Sequence, residues 1–365
     1  MRAQCAIVLG LLLLAPLFVG CSWVSKGLPD YAPSTGPYDR LPEDDRQRVR
    51  RARELMETDE LERARAVLAE VLGRRPQNMS VALLLQDVDL RLAEDPAGGH
   101  PSANELAREA LDLARRSPSP VRLLLAARIA PDRDLARGLM DEAIELDPEC
   151  AWAHYALAWS LATEGRWREA QTRLELALDL DSGHLAGRRL EAGLMARDGD
   201  DDAIEAFERW LRVTEDEPLV DPAARLAAKL DLAQLHLLDG RERRAREVLQ
   251  SLAEEAPSNA RRECLLAAAE HAEGRRDRAL AAARRASEAA PEDPLPMVQQ
   301  ALLHEGSFDD PQAAREAWER VLELTRDDGD LGSLILGMRA RVALERSAAA
   351  RQRASQREAQ SPAQP

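Results

Sequence analysis

The chain has 365 residues, of which 32% are charged and 3% are aromatic, and its formal net charge is −15 at pH 7. This acidic balance argues against a nucleic-acid partner, because binding to phosphates needs an excess of Lys and Arg on one face. The apolar residues are chiefly Ala and Leu, which suits close packing of helices rather than a sheet. The length would hold two globular domains or one continuous helical array.

Residues 1–20 are predicted to be a signal peptide. Arg2 precedes an apolar run from Ala6 to Val19, which is too short to span a membrane and has the length of a signal-peptide core. The run ends in the letters LFVGC, which resemble the lipobox of bacterial lipoproteins. That resemblance implies cleavage before Cys21 and acylation of its sulfur and new amino group. The alternative is an ordinary secreted protein with an accidental cysteine at this position.

Residues 21–45 are predicted to be a lipid-anchored, extended linker. They are rich in Pro, Gly, Ser and Tyr and show no helical period. At about 3.3 Å per residue, the linker would hold the body of the protein some tens of Å from the bilayer. Ser22, rather than Asp, follows the cysteine, which under the sorting rule of enterobacterial lipoproteins favours the outer membrane, facing the periplasm. We therefore expect a lipid-anchored membrane protein of the cell envelope.

Residues 46–346 repeat with a period of 34 residues. The stretch 151–184 shows the unit, because Gly165 separates two helical patterns that each have one small and apolar face. The residues of these faces are His154, Leu157, Ala158 and Leu161, then Ala170, Leu174 and Ala177. Neither helix buries its face alone, so the unit needs neighbours. Glycines recur one period apart at 165 and 199 and at 240 and 274.

This helix–turn–helix period resembles the tetratricopeptide-repeat family. The family pattern W-x2-L-G-x2-Y…A-x3-F…P appears here as His154, Leu157, Ala158, Leu161, Ala170, Leu174 and Ser182. The small residues are kept, whereas His or Leu mostly replaces the large aromatics. The resemblance implies an all-α fold, a right-handed superhelical solenoid of about eight repeats. A last helix at 331–346 is expected to cap it, and residues 347–365 are expected to be a disordered tail.

The sequence contains no recognisable catalytic or metal-binding pattern. It lacks G-x-S-x-G, H-E-x-x-H, Walker and C-x-x-C patterns, and its six histidines are scattered over different predicted helices. We therefore expect no enzyme activity, no cofactor and no metal. Cys150 and Cys264 lie more than three repeats apart, so we expect two small buried residues rather than a disulfide.

An aromatic stripe marks the first helix of the fourth repeat. Trp152, Tyr155 and Trp159 share a face that differs from the one carrying Leu157 and Leu161. In the repeat family, the corresponding face lines the concave groove in which peptides bind. The matching positions of the neighbouring repeats are Val121, Leu125, Arg128, Arg189, Arg197, Leu230 and Gln234.

We interpret these positions as an apolar and aromatic floor with arginines beside it. Trp, Tyr and Arg dominate binding hot spots, and an apolar partner segment with a nearby acidic residue would suit such a floor. The alternative is that the three rings pack between consecutive first helices and belong to the core. The first interpretation predicts that Trp152 and Trp159 are open to an aqueous quencher, and the second predicts that they are not.

Two main functions are compatible with the sequence. The first is a non-enzymatic adaptor or scaffold lipoprotein of the bacterial cell envelope, which binds a protein or peptide partner in its concave groove. The second is a structural subunit of an envelope assembly complex, held through its outer faces or ends. A third is an accessory subunit of an envelope enzyme, for example one that assembles peptidoglycan or polysaccharide.

Overall fold

The computed structural model describes residue 38 and residues 40–94, 99–215, 217, 220–326 and 331–360. For residues 331–335, 350, 351 and 353–360 it describes the backbone alone. The expected signal peptide, the expected lipidation site Cys21 and most of the expected linker lie outside the described residues.

Every regular element of the described residues is a helix. In chain order the α-helices are α1 (Glu43–Glu57), α2 (Leu61–Arg74), α3 (Met79–Leu92), α4 (Ala103–Arg116), α5 (Pro120–Arg128), α6 (Arg133–Leu146), α7 (Ala151–Thr163), α8 (Trp167–Leu180), α9 (Leu185–Asp198), α10 (Ala203–Thr214), α11 (Pro222–Leu238), α12 (Glu242–Ser251), α13 (Ala260–Ala272), α14 (Arg276–Ala289), α15 (Pro294–Leu303), α16 (Pro311–Leu324) and α17 (Leu331–Gln360). A π-helical turn, His304–Phe308, follows α15.

The helices form successive hairpins, with α17 after the eighth. In the fourth hairpin, Leu157, Ala158 and Leu161 of α7 are buried, and so are Ala170, Leu174 and Ala177 of α8. These are the small and apolar faces expected from the 34-residue period, and α7 packs on α8 as that period requires. The predicted fold class, an all-α solenoid of tetratricopeptide-like hairpins, is therefore confirmed.

The turn inside a hairpin needs a residue with a left-handed backbone. Gly165 has a φ of 76°, and Arg166 N–H donates to the Leu161 carbonyl over 2.9 Å, which closes the end of α7. In the first hairpin Asp59 takes the same place with a φ of 60°, and Glu60 N–H donates to the Leu55 carbonyl over 2.8 Å. The break expected at Gly165 is therefore confirmed.

Two boundaries differ from those expected. Helix α1 begins at Glu43, so residues 43–45 belong to the solenoid and not to the linker. Glu43, Asp44 and Asp45 lie in the first turn of α1, where carboxylates favour the helix dipole, and buried Asp45 pairs with Arg74 over 3.1 Å. Helix α17 continues to Gln360, so residues 347–360 are helical rather than disordered, because Ala, Arg and Gln are strong helix formers.

The described chain divides into two compact units, and the boundary between Ala228 and Lys229 falls inside α11. The N-terminal unit holds the described residues up to 228, and the C-terminal unit holds those from 229. Cys150 lies in the first and Cys264 in the second, both as buried free thiols. The expectation that both cysteines are small buried residues is confirmed.

Candidate peptide-binding surface

The aromatic stripe lies on α7 in the N-terminal unit. Trp152 and Tyr155 are 1% and 0% exposed, whereas Trp159, one turn further along, is half-buried. The stripe therefore begins at a buried end and runs to a partly accessible one.

His184 joins the buried end of the stripe. Its ring lies 4.4 Å from the Trp152 ring and 4.9 Å from the Tyr155 ring, centroid to centroid, and the Trp152 and Tyr155 rings meet edge to face at 5.6 Å. We call these three residues the aromatic cluster. Sequence reasoning missed His184, although a signal existed, because it lies one 34-residue period after Cys150, the residue that precedes α7.

His184 is held by its place at the start of α9. Its Nδ1 accepts the Gly187 N–H over 2.9 Å and so caps the helix, which leaves the ring proton on Nε2. A Cβ on Gly187 would lie 3.2 Å from His184 Nδ1 and 3.1 Å from Leu178 Cδ2, so a glycine leaves room for this cap. Burial lowers the pKa of His184 to about 4, and the nearby Asp181 carboxylate opposes that shift. The ring is therefore a neutral donor at neutral pH.

Tyr38 attaches the chain before α1 to the end of α6 and to the start of α3. Its hydroxyl donates to the carboxylate of Asp147, at the end of α6, and its carbonyl accepts the Met79 N–H over 2.7 Å at the start of α3. Burial, followed by the hydrogen bond to Asp147, raises the pKa of Tyr38 well above its usual range. Burial also raises the pKa of the neighbouring Cys150 thiol to about 12, so this thiol is not a nucleophile at neutral pH.

Helix α1 makes a second long-range contact within the N-terminal unit. Arg46 pairs with Glu217 over 2.6 Å, and Arg53 lies 4.0 Å from Asp221, where α11 is about to begin. Arg225 donates to the carbonyls of Thr214 and Glu217, which fixes this segment. Helix α1 is therefore joined to the segment between α10 and α11.

The burial of two rings differs from the open groove expected at the stripe. Trp152 and Tyr155 are not open to water in this structure. Both rings pack against His184, at the start of the next first helix, α9. Trp159 is the member of the stripe that keeps partial exposure.

The predicted positions on α5 are occupied by contacts with α3. Half-buried Leu125 accepts a hydrogen bond from Gln86 through its carbonyl over 2.9 Å. Arg128 is 6% exposed, donates to Gln86 Oε1 over 3.1 Å and pairs with Asp87. Val121 is buried as well. Arg128 therefore neutralises a carboxylate of the preceding hairpin rather than offering its charge to a ligand.

The predicted arginines on α9 face tryptophans of second helices. The guanidinium of Arg189 lies 5.8 Å from the centre of the Trp210 ring, and that of Arg197 lies 4.3 Å from the centre of the Trp167 ring. Trp210 itself donates to the Leu185 carbonyl over 2.7 Å. Each arginine therefore lies over the ring of a neighbouring helix, α10 for Arg189 and α8 for Arg197.

Leu230 and Gln234 belong to the C-terminal unit. Both are buried, and Arg261 of α13 donates to Gln234 Oε1 over 2.9 Å and to Asp231 over 2.6 Å. Gln234 therefore takes part in a polar contact between α11 and α13, and Leu230 is a buried residue of α11.

Within the part of the chain that the structure describes, no group of three or more His, Cys, Asp or Glu side chains is placed to hold a metal ion. None of the described helices has both the length and the apolar character that crossing a bilayer requires.

The hairpins, their 34-residue period and the left-handed turn residues define a tetratricopeptide-repeat-like solenoid. No family model and no curated protein matches the chain. Among solved structures, the APC/C hetero-tetramer Cut9–Hcn1 is similar with a TM-score of 0.56 at 18% identity, covering 77% of this chain and 52% of that chain. This chain therefore spans about half the length of the Cut9–Hcn1 chain, and the likeness concerns the fold alone.

Two further solved structures are similar to this chain at lower TM-scores. Yeast Tom70 has a TM-score of 0.48 at 14% identity, covering 91% of this chain and 69% of that chain. A tetratricopeptide repeat protein from Parabacteroides merdae has a TM-score of 0.44 at 14% identity, covering 72% and 99%.

Proposed function

We propose that this protein is a non-enzymatic adaptor lipoprotein of the bacterial cell envelope. Its helical array binds a protein or peptide partner, and a lipid on Cys21 holds it at a membrane, with the outer membrane, facing the periplasm, preferred. The observation that carries the adaptor role is the fold itself, because stacked hairpins present extended surfaces to which partners bind. The lipid anchor is supported by the lipobox-like letters at 17–21 alone.

The chemistry of the two thiols supports a role without catalysis. Burial raises the pKa of Cys150 and of Cys264 to about 12, so neither is a thiolate at neutral pH. The aromatic cluster holds a neutral histidine whose Nδ1 is used as a helix cap. These groups are suited to packing and to hydrogen bonding with a bound chain rather than to bond making.

A second function is favoured by exposed apolar residues of the N-terminal unit. Four of its five second helices carry one near the C-terminal end, at intervals of about one repeat. These residues are Leu113, Leu146, Leu180 and Val213, which are 51%, 49%, 40% and 59% exposed. We call them the outer row. A structural subunit of an envelope complex would use such a row rather than the inner face.

Cross-linked capture from membranes separates the two functions. Cells produce the full chain as wild type, with Trp159→Ala on the inner face, or with Leu113, Leu146 and Leu180 replaced by Gln on the outer row. Trp159→Phe is the matched control, because it keeps an aromatic ring at the partly exposed end of the stripe. Circular dichroism must first show equal helix content for all versions.

The adaptor function predicts that one captured protein is lost with Trp159→Ala and retained with Trp159→Phe and with the outer-row variant. If the captured protein is lost with the outer-row variant alone, the result supports the structural-subunit function instead. Capture that is unchanged in every version would overturn both assignments.

A further inference from the structure

Two consecutive second helices, α6 and α8, carry the same exposed pattern of carboxylates and leucine. In α6 the exposed residues are Asp141, Glu145 and Leu146. One 34-residue period later, Glu175, Asp179 and Leu180 are exposed at the equivalent positions of α8. We call these six residues the acidic face. The two leucines are the central members of the outer row.

The carboxylates of the acidic face are unfavourable within their own helices. Asp141 and Glu145 lie one turn apart, as do Glu175 and Asp179, and like charges at this spacing destabilise a helix. All four lie in the C-terminal halves of α6 and α8, where the helix dipole favours cations. Neither helix has a basic residue in its last turn, and no ion pair joins these carboxylates to the described residues. A basic partner surface would therefore relieve a repulsion that the hairpins leave in place.

The second helices on either side of this pair differ in their charges. The last turn of α4 contains Arg115 and Arg116, and that of α10 contains Arg212. Both helices also carry an exposed apolar residue of the outer row, Leu113 in α4 and Val213 in α10. Apolar exposure is therefore common to the four helices, whereas a last turn without a basic residue distinguishes α6 and α8 among them. The partner of these two helices is expected to be basic as well as apolar.

Helix α17 presents a surface of the complementary kind. Met338 and Val342 are 65% and 43% exposed and lie one turn apart. Arg341 and Arg346 are exposed at neighbouring positions of the same side, and no ion pair joins them to the described residues. We call these four residues the basic face. Glu345 is the exposed carboxylate beside them.

The opposite side of α17 is already occupied. Leu336 and Ala340 are buried in a core cluster that includes Trp318 of α16, so the basic face points away from this contact. From residue 339 to residue 360 the sequence has six Arg and two Glu, in a chain whose formal net charge is −15. The chain therefore contains both an acidic apolar surface and a basic apolar helix that fits it in charge.

From these two surfaces we propose that the protein associates with itself, with the basic face of one copy bound to the acidic face of another. The exposed leucines of the acidic face then pack against Met338 and Val342, and the two arginines lie beside its carboxylates. Because the two surfaces differ, each bound copy keeps one surface for a further copy, and the association is head-to-tail. The inference rests on the structural-subunit function and deepens it, since it names a second copy of this chain as the partner of the outer row.

Charge reversal and its rescue test this association in the full chain. Sedimentation equilibrium measures the molecular mass over a range of protein concentrations, in a non-ionic detergent matched to the density of the solvent. The acidic-face variant carries Glu145→Arg, Glu175→Arg and Asp179→Arg. The basic-face variant carries Arg341→Glu and Arg346→Glu.

A matched control separates the proposed contact from the effect of net charge. It replaces Glu254, Glu288 and Glu292 by Arg, which changes the net charge as much as the acidic-face variant does. These three carboxylates are exposed in the C-terminal unit and lie outside both faces. Circular dichroism must first show equal helix content for all versions.

We expect the wild type and the matched control to associate. Each face variant alone should raise the dissociation constant about tenfold or more, because like charges then oppose each other. An equimolar mixture of the two face variants should associate again, since every surface in it meets one of opposite charge. A wild type that is monomeric at every concentration would overturn the proposal, as would a mixture without rescue or a control that is weakened as much as the acidic-face variant.

The outcome also separates this inference from the function on which it rests. A monomeric wild type, together with a captured protein that is lost with the outer-row variant, would overturn self-association and leave the structural subunit standing. Association with rescue, together with capture of other proteins that ignores the outer row, would keep self-association and overturn the structural subunit.

Discussion

The imidazole of His184 packs against the indole of Trp152, with 4.4 Å between the ring centroids and 61° between the planes. One ring belongs to the first helix of the fourth hairpin and the other caps the first helix of the fifth. The pair therefore joins two hairpins through an aromatic contact and a helix cap at the same residue.

Replacing His184 should destabilise the N-terminal unit through both of these roles. We expect His184→Ala to lower the free energy of unfolding by about 2 kcal/mol or more, from the lost cap, the lost ring contacts and the cavity. His184→Asn keeps a cap acceptor and should lose about half as much. Urea unfolding followed by tryptophan fluorescence measures both, since Trp152, Trp159, Trp167 and Trp210 lie in this unit. Equal losses for the two variants would show that the cap contributes nothing.

Acid should destabilise the same unit through His184. Its folded pKa is about 4, below the usual value of 6.5, so the unfolded chain binds more protons between these values. Stability is therefore complete above pH 6.5 and falls as the pH drops towards 4, by up to about 3 kcal/mol. Unfolding midpoints from pH 7.5 to 4.5 measure this slope. His184→Asn should flatten it, and a slope that survives the substitution must be assigned to other groups.

The left-handed turn at Gly165 predicts opposite effects for two glycines. Gly165→Ala forces a Cβ into a φ of 76° and should cost about 1 kcal/mol. Gly193 lies inside α9 with nothing within 4 Å of an added Cβ, so Gly193→Ala should stabilise by up to about 1 kcal/mol. Thermal unfolding of the two variants provides the comparison, and a shift of the same sign in both would contradict the assignment of the turn.

The hydroxyl of Tyr38 should hold the chain before α1 in place. Tyr38→Phe removes its hydrogen bond to Asp147 and should weaken this attachment by about 1–2 kcal/mol. The Met79 amide, which donates to the Tyr38 carbonyl, should then exchange its hydrogen with deuterium faster. Asp147→Asn keeps an acceptor and is expected to have a smaller effect. Unchanged exchange at Met79 in Tyr38→Phe would show that the hydroxyl does not secure this segment.

The lipid anchor predicts a clear difference between two cysteines outside the described residues. Cells fed an alkyne-labelled fatty acid should transfer it to the wild-type chain and to Cys5→Ser, and not to Cys21→Ser. Cys21→Ser should also leave the detergent-rich phase in a phase-separation experiment, because its single attachment to lipid is lost. Labelling of Cys21→Ser at the wild-type level would refute acylation at this residue.

The hairpins were predictable because their signals are local. The 34-residue period, the small residues at Ala158 and Ala170 and the break at Gly165 each depend on neighbours within one repeat, and the structure has all of them in the expected roles. The start of α1 is not evident from composition, because residues 43–45 are polar and directly follow a stretch rich in Pro and Gly. The helical part of the tail is not evident either, because its polar residues show no apolar face.

The state of the stripe was not predictable from the period alone. At its buried end, Trp152 and Tyr155 pack against His184, which caps the first helix of the next hairpin. The partners of Arg128 and Arg197 likewise depend on which neighbouring helix offers a carboxylate or a ring. A repeat pattern specifies which face of its helix a residue occupies. It does not specify which residues of other helices contact that face.

The two buried thiols provide a kinetic readout that the chain already contains. Cys150 and Cys264 lie in different units, and a thiol whose pKa is near 12 reacts with a maleimide at neutral pH chiefly when its surroundings open. In a chain with Cys5→Ser and Cys21→Ser, the rate at which a maleimide labels Cys150 measures how often the N-terminal unit opens. The rate at Cys264 measures the same for the C-terminal unit. A partner that closes on one half of the array will slow one rate and leave its counterpart unchanged, which identifies the engaged half without any added probe.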